Sequence, residues 1–340
     1  NNFSNIFMDE LERLIDDANK VYKENFPNTT WFERALFFSW SCSIRDCKFC
    51  YMSVQQTSGG ASEEKAVRSK ESLFAEAILC KNLGWRIGFF SGGMNAYPHK
   101  DILEILKVIN HIIGENVWLN IGAVSKSQLE KYTPHIKGVV GSIETINEKL
   151  HREICPSKPL KPYIKMFKDA HRLGLKNSMT IILGLGETKD DFETLKEFII
   201  NNHIEKIHIY ALNPVVGTVF ENKKSPEKEY QAWYIANLRI AFPKIDIQMG
   251  IWKNKIDRVS LLLNAGANSI SKFPITKSFG SLEAKEIELQ ARAADREFLG
   301  SLTKIPDINW DREVELLPVE NDVKAIVKKK LCEYLKNMNS

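Results

Sequence analysis

The chain has 340 residues, 44% of them hydrophobic, enough for one large domain or two ordinary ones with a substantial core. Its 47 basic and 43 acidic residues leave a net charge of +4 spread along the chain, which argues against nucleic acid or a membrane surface as the main partner. No stretch approaches the roughly 18 consecutive apolar residues of a membrane-spanning helix, and the polar start Asn1-Asn2-Phe3-Ser4 is not a secretory signal, so a soluble cytoplasmic protein is expected.

In chain order, an amphipathic helix near Asp9–Lys23 comes first. From about residue 35 to about residue 300, segments rich in β-formers alternate with helical segments. The expected strands are Ala35–Trp40, Arg86–Phe90, Val117–Ile121, Gly138–Ile143, Ser178–Leu183, Lys206–Ala211, Asp246–Met249 and Ala267–Ser271. Most read as near-continuous apolar runs, as strands buried on both faces do. Helix starts are marked by Ser62 before Glu63 and Glu64, by Thr188 before Asp190 and Asp191, and by Ser225 before Pro226; Gly174 marks a stop. A tail from about residue 302 ends in a basic helix around Asp322–Lys336. The fold class this predicts is α/β, a closed (β/α)8 TIM-type barrel: residues 1–30 form an N-terminal helical extension, 31–300 the barrel and 301–340 a C-terminal helical tail.

Three of the six cysteines fall within nine residues, which favours metal binding over a disulfide framework. The run Trp40-Ser-Cys42-Ser-Ile-Arg-Asp-Cys47-Lys-Phe-Cys50-Tyr51 follows the first strand directly, where a βα loop sits at the catalytic end of a barrel. Three thiolates on one short loop can hold three irons of a cubane and leave the fourth open to an exogenous ligand. A structural zinc site is the plainer alternative, but it needs a fourth ligand, and no His or Cys lies near enough with the usual spacing. Phe49, between the last two cysteines, is either simple packing or a shield for the cluster.

This loop and the sequence after it resemble the radical S-adenosylmethionine (SAM) superfamily over most of the chain. Most members have three residues between the first two cysteines; four stand here, which points to an unusual subfamily. The resemblance implies that Cys42, Cys47 and Cys50 bind a [4Fe-4S] cluster and that SAM chelates the open iron, with Phe49 and Tyr51 beside the cofactor. An electron from a ferredoxin- or flavodoxin-type donor then cleaves SAM into methionine and a 5′-deoxyadenosyl radical that abstracts hydrogen. Ser91-Gly92-Gly93-Met94 resembles the glycine-rich motif that takes the methionyl amino group, although Met94 stands where an acid is usual and a tight turn is the alternative. Ser142 and Glu144 match the branch in which a glutamate orients SAM; an ordinary loop acid is the other reading. Tyr163 replaces an arginine that binds the SAM carboxylate, leaving Lys161 or Lys165 to substitute, Lys165 being preferred. Ile182, in Thr180-Ile-Ile182-Leu-Gly184-Leu-Gly-Glu187, is expected on the adenine, with Glu187 nearby. Leu212 and Asn213 match the family's adenine-side loop, though Asn-Pro is common turn chemistry. Asn120 contacts cofactor or substrate, or is a satisfied core amide.

The closed barrel and the phrase Asn264-Ala-Gly266-Ala-Asn268-Ser-Ile270 look closest to the biotin synthase and [FeFe]-hydrogenase maturase branch, and to archaeal biotin-synthase-related proteins. Such relatives act on small molecules, and a lipoyl arm would also fit a closed barrel; this is fold analogy. No strand position that holds biotin synthase's second cluster is Cys, and Met249-Gly250-Ile251-Trp252 lacks its arginine, so biotin synthase proper is not expected. Cys155 is either a catalytic residue, through an auxiliary iron–sulfur cluster or a transient substrate adduct, or a neutral loop thiol. Cys80 reads as core and His151 as structural. The expected function is cofactor biosynthesis by hydrogen abstraction, leaning to sulfur insertion of the lipoyl synthase kind, a transferase reaction. Hydrogenase-cofactor maturation is the alternative, and a non-catalytic metal or electron-transfer protein the alternative of another class.

Overall fold

The computed structural model describes residues 2–55 and 66–339. Its first strand, β1 (Thr29–Trp31), pairs in parallel with its last, β10 (Glu297–Leu299), apart from the main sheet. The other eight are β2 (Glu33–Phe37), β3 (Arg86–Ser91), β4 (Val117–Asn120), β5 (Ile136–Glu144), β6 (Lys176–Leu183), β7 (Ile204–Ala211), β8 (Asp246–Gly250) and β9 (Ser269–Ser271). They lie parallel and in sequential order, and a bridge between Phe32 and Ile270 brings β2 against β9. The result is a nearly closed α/β barrel of the expected TIM type.

All eight barrel strands fall where the sequence places them; β1 and β10 were not anticipated. Three residues are too few to show a period. Their pairing, Thr29 with Glu297 through Trp31 with Leu299, arises from tertiary closure, with the Thr30 hydroxyl donating to the Asn268 carbonyl at 2.9 Å.

A second correction concerns the barrel lumen. β7 and β8 are not uniformly apolar but alternate. Ile207, Ile209, Ile247 and Met249 belong to the large core shared with the helices. Lys206, His208, Tyr210 and Gln248 face the interior, since the Lys206 ammonium reaches Glu33 of non-adjacent β2 at 2.6 Å. Gly88 on β3 is required by that crossing: a Cβ there would lie 2.9 Å from Gln248 Nε2 and 3.1 Å from Glu33 Oε1. The opposite wall is apolar, with Phe89, Trp118 and Val140 in one cluster.

The terminal helices brace the barrel from outside. Helix Asn2–Asn25 packs on helix Lys228–Ala241, and its Tyr22 ring lies beneath the Arg296 guanidinium at 3.3 Å. Helix Asn321–Asn339 packs on helix Lys70–Leu83, where the Tyr334 hydroxyl accepts from Arg68. The Asn264–Ile270 phrase is explained structurally: buried Arg239 donates to the Gly266 carbonyl and to Asn268 Oδ1. Gly174 stops helix Leu160–Arg172 at φ 77°, and Thr188 forms a capping box with Asp191, both as expected. Ser225 does not cap; the next helix starts at Lys228 and the Ser225 hydroxyl is buried without a partner among the described residues. The expected start at Ser62 lies outside the described residues. Among the described residues no helix is long and apolar enough to cross a membrane.

Candidate active site

The cysteine loop leaves β2 at Phe37 and crosses the C-terminal mouth of the barrel. Its course is fixed by backbone bonds to two neighbours: Gly93 N–H donates to the Ser39 carbonyl and Ser43 N–H to the Met94 carbonyl on one side, and Lys48 N–H to the Ile154 carbonyl on the other. Cys50 begins the short helix Tyr51–Val54, and Arg45, in the left-handed region at φ 53°, donates to the Cys42 carbonyl at 2.6 Å.

Gly92 and Gly93 therefore act by close packing. A Cβ on Gly93 would stand 1.7 Å from the Ser41 carbonyl oxygen and 2.9 Å from the Cys42 Cα; one on Gly92 would enter the Phe38 ring at 2.3 Å. The glycine pair lets the cysteine loop lie down on the end of β3.

Cys42, Cys47 and Cys50 all face a cavity of about 240 Å³ at the barrel mouth, shared with Ser91, Asn120 and Glu144. It joins a second chamber of about 450 Å³ in the lumen; Phe49, Cys50, Ile182, Tyr210 and Lys272 line both. Among the described residues no group of three or more His, Cys, Asp or Glu converges on a point fit for one metal ion. A cubane makes a different demand, one thiolate for each of three irons. The donor set fits it: all six cysteines are free, and burial pushes the Cys50 thiol up to about 11, partly offset by the Met52 N–H, so bound iron would supply the positive charge its thiolate lacks. The three loop thiols and the backbone around Gly93 thus form a cradle compatible with a [4Fe-4S] cluster.

The wall opposite the thiols is set by β5. Glu144 ends that strand with φ 66°, a conformation uncommon outside glycine, and its Oε1 accepts from Lys158 Nζ at 2.9 Å. Both are buried, and Oε2 has no protein donor among the described residues. Despite the burial penalty, Glu144 holds the Lys158 ammonium well above the usual lysine range. Lys158 is positioned by His151, whose ring bonds the Thr145 and Lys158 carbonyls, so His151 is structural as expected. Asn120 lines the same cavity and accepts from the Ser142 hydroxyl at 3.1 Å.

Three expected site residues are placed elsewhere. Lys165 points outward along helix Leu160–Arg172 and pairs with Asp169 four residues on at 2.6 Å; helical periodicity turns it away from Tyr163, which does line the cavity. Glu187 is consumed by its own loop, accepting from the Gly184 N–H at 2.7 Å, the Leu185 N–H at 3.0 Å and the Tyr230 hydroxyl at 3.2 Å. Cys155 lines neither chamber. It is 1% exposed among Ile154, Leu185, Leu212 and Phe220, behind Cys47. The two free thiols are neighbours and shift one another: Cys155 lowers the Cys47 thiol, while Cys47 and burial raise the Cys155 thiol. Ile182, Leu212 and Asn213 line the larger chamber with half-exposed Tyr51.

Sequence reasoning passed over Lys158, Tyr210, Gln248 and Lys272. The alternation Lys206-Ile-His208-Ile-Tyr210 and the lysine directly after Ser269-Ile-Ser271 were the available signals. In the lumen, His208 Nδ1 bonds Gln248 Oε1 at 2.7 Å, and burial, then the Lys206 charge, push His208 down to about 3, leaving it neutral.

Comparison with known proteins agrees with this arrangement. The model of the radical SAM superfamily matches residues 41–199, from the cysteine loop through β6. An uncharacterized protein of Methanocaldococcus jannaschii, MJ0597, is 38% identical over 97% of this chain and 93% of its own length. Biotin synthase of Clostridium tetani is 27% identical over 78% of this chain and 83% of its own. In fold, the chain superposes on the [FeFe]-hydrogenase maturase HydG of Carboxydothermus hydrogenoformans with a TM-score of 0.66 at 16% identity, over 96% of this chain and 83% of that one. The matched segment contains the three-cysteine loop, the glycine pair packed on it and the Glu144 wall, and on those grounds this chain belongs to the radical SAM superfamily and is similar in sequence to its biotin synthases.

Proposed function

We propose that this radical SAM enzyme abstracts hydrogen from a small molecule in cofactor biosynthesis, with sulfur insertion as the favoured reaction and hydrogenase-cofactor maturation as the alternative. The observation that carries the reading is the convergence of Cys42, Cys47 and Cys50 with Ser91, Asn120 and Glu144 on one cavity that opens into a lumen chamber of about 450 Å³. That volume is in the range of small-molecule pockets.

In this reading Cys42, Cys47 and Cys50 would hold the cluster, and residues lining the same cavity would hold SAM. When bound, cluster and SAM supply a 5′-deoxyadenosyl radical on arrival of an electron from a ferredoxin- or flavodoxin-type donor. The protein's residues bind and orient. Glu144 Oε2 accepts from the amino group or ribose hydroxyls of SAM while Lys158 neutralises Oε1. Ile182 packs on the adenine, Ser91 and the glycine backbone receive the methionyl end, and Phe49 and Phe89 exclude water from the junction of the chambers. Cys155 takes no part in binding substrate.

The test is anaerobic reconstitution with iron and sulfide, followed by dithionite and SAM. Release of 5′-deoxyadenosine and methionine supports the reading; a structural zinc protein or simple electron carrier releases neither. Iron analysis on the same sample gives about four per chain for one cubane and about eight if an auxiliary cluster is present.

A further inference from the structure

Among the described residues, four basic side chains line the two chambers: Arg34, Arg68, Lys158 and Lys272. Arg34 and Arg68 are held by buried Glu76, outside β2, at 2.7 and 2.6 Å. Lys158 is held by Glu144. The acids that line the chambers are likewise matched, Glu33 with Lys206 and Glu144 with Lys158. Lys272 alone makes neither an ion pair nor a hydrogen bond among the described residues; Glu144 and Cys50 act on its charge only through space. Its ammonium lies over the Tyr210 ring at 4.5 Å and the Trp252 ring at 5.6 Å.

The lysine is placed there by construction. It follows β9 with φ 69°, a left-handed conformation that a residue with a Cβ adopts only against a steric cost. Gly250 on β8 leaves room for its stem: a Cβ there would stand 3.2 Å from Lys272 Cγ and 2.5 Å from the Tyr210 ring. Trp252 is fixed by its indole N–H to the Ala211 carbonyl at 3.3 Å. A cation enclosed by two rings, facing a mostly apolar chamber and with no anion in direct contact, is costly unless a ligand supplies one.

We propose that Lys272 binds a carboxylate of the substrate, so that the enzyme acts on a small free carboxylic acid whose apolar body fills the lumen against Phe37 and Phe89. This rests on the radical SAM reading and narrows it. The chemistry favours a carboxylate over a phosphate: one ammonium matches one monoanion, whereas a phosphate dianion calls for an arginine fork or a nest of backbone N–H groups. A protein-attached acyl arm, whose acid group is tied up in an amide, offers Lys272 no charge.

The test is equilibrium binding to the reconstituted protein with SAM present. Straight-chain and aromatic carboxylates of four to eight carbons serve as probes, each paired with its neutral amide and, for the tightest, with the alkyl phosphate. At least one carboxylate is expected to bind at least tenfold more tightly than its amide. Lys272→Met abolishes that preference and Lys272→Arg retains it, with both variants keeping the iron content and circular dichroism of the wild type. The inference is overturned if no carboxylate outbinds its amide, if the phosphate binds more tightly, or if the preference survives in Lys272→Met. It is equally overturned if Lys272→Met loses affinity for SAM instead, which would assign the ammonium to the cofactor's own carboxylate. Nucleoside release by the wild-type sample separates the two levels. Its absence removes the radical SAM reading itself, whereas release without a carboxylate preference removes only the role of Lys272.

Discussion

Replacing Gly93 by alanine tests how the cysteine loop is held. The added methyl group would lie 1.7 Å from the Ser41 carbonyl oxygen, while real contacts of this kind do not fall below about 3.0 Å, so loop and strand must separate by about 1.3 Å. β3 cannot yield, being paired on both edges with β2 and β4. The loop moves, and Cys42, whose Cα is 2.9 Å from the same methyl position, moves with it. A misplacement of about 1 Å at a reacting centre costs on the order of 100-fold in rate. Gly93→Ala is therefore expected to keep the circular dichroism of the wild type, to hold less than half of its iron after anaerobic reconstitution, and to release 5′-deoxyadenosine at least 100-fold more slowly. Full iron content and unchanged nucleoside release would show that the loop is not seated on this glycine.

Lys158→Met leaves Glu144 buried without its partner, at a cost of about 3–5 kcal/mol, and the double variant Lys158→Met/Glu144→Gln is expected to recover most of it in anaerobic chaotrope unfolding. Equal midpoints for single and double variants would refute the coupling. In the lumen, against the burial penalty, the Lys206 ammonium holds Glu33 down at about 2, below its ordinary 4.5. A depressed carboxyl stabilises the fold above its unfolded value and loses that contribution as pH falls through the folded one, so about 3 kcal/mol should disappear between pH 4.5 and 2. Glu33→Gln should flatten that slope, and an unchanged slope would remove Glu33 as its source. Cys155→Ala, altering a thiol that lines neither chamber, is expected to retain iron and nucleoside release within twofold; loss of iron would make Cys155 a ligand.

Much of the barrel was legible because each β/α unit carries its own local signals: apolar strands, capping residues such as Thr188, and Gly174 at a helix end. The cysteine loop was legible for the same reason, since its three thiols lie within nine residues. What escaped depends on direction and on long-range pairing. Lys161, Lys165 and Lys158 look equivalent in sequence, and only the helix phase turns Lys165 to solvent while the loop before the helix carries Lys158 inward. Glu187 sits in a plausible motif yet is spent on three backbone amides of its own turn. The lumen polar set draws Glu33, Lys206 and Gln248 from three different strands and Lys272 from the residue after a fourth, so no local window contains it.

The central claim is that Cys42, Cys47 and Cys50 hold a [4Fe-4S] cluster with one iron open to SAM. Electron paramagnetic resonance of the dithionite-reduced protein, recorded before and after adding SAM, tests it most directly. The expected result is a reduced-cubane signal whose shape changes when SAM is added and which is absent when the three cysteines are replaced by alanine. A signal that SAM leaves unchanged, or one that persists without the three thiols, would contradict the claim.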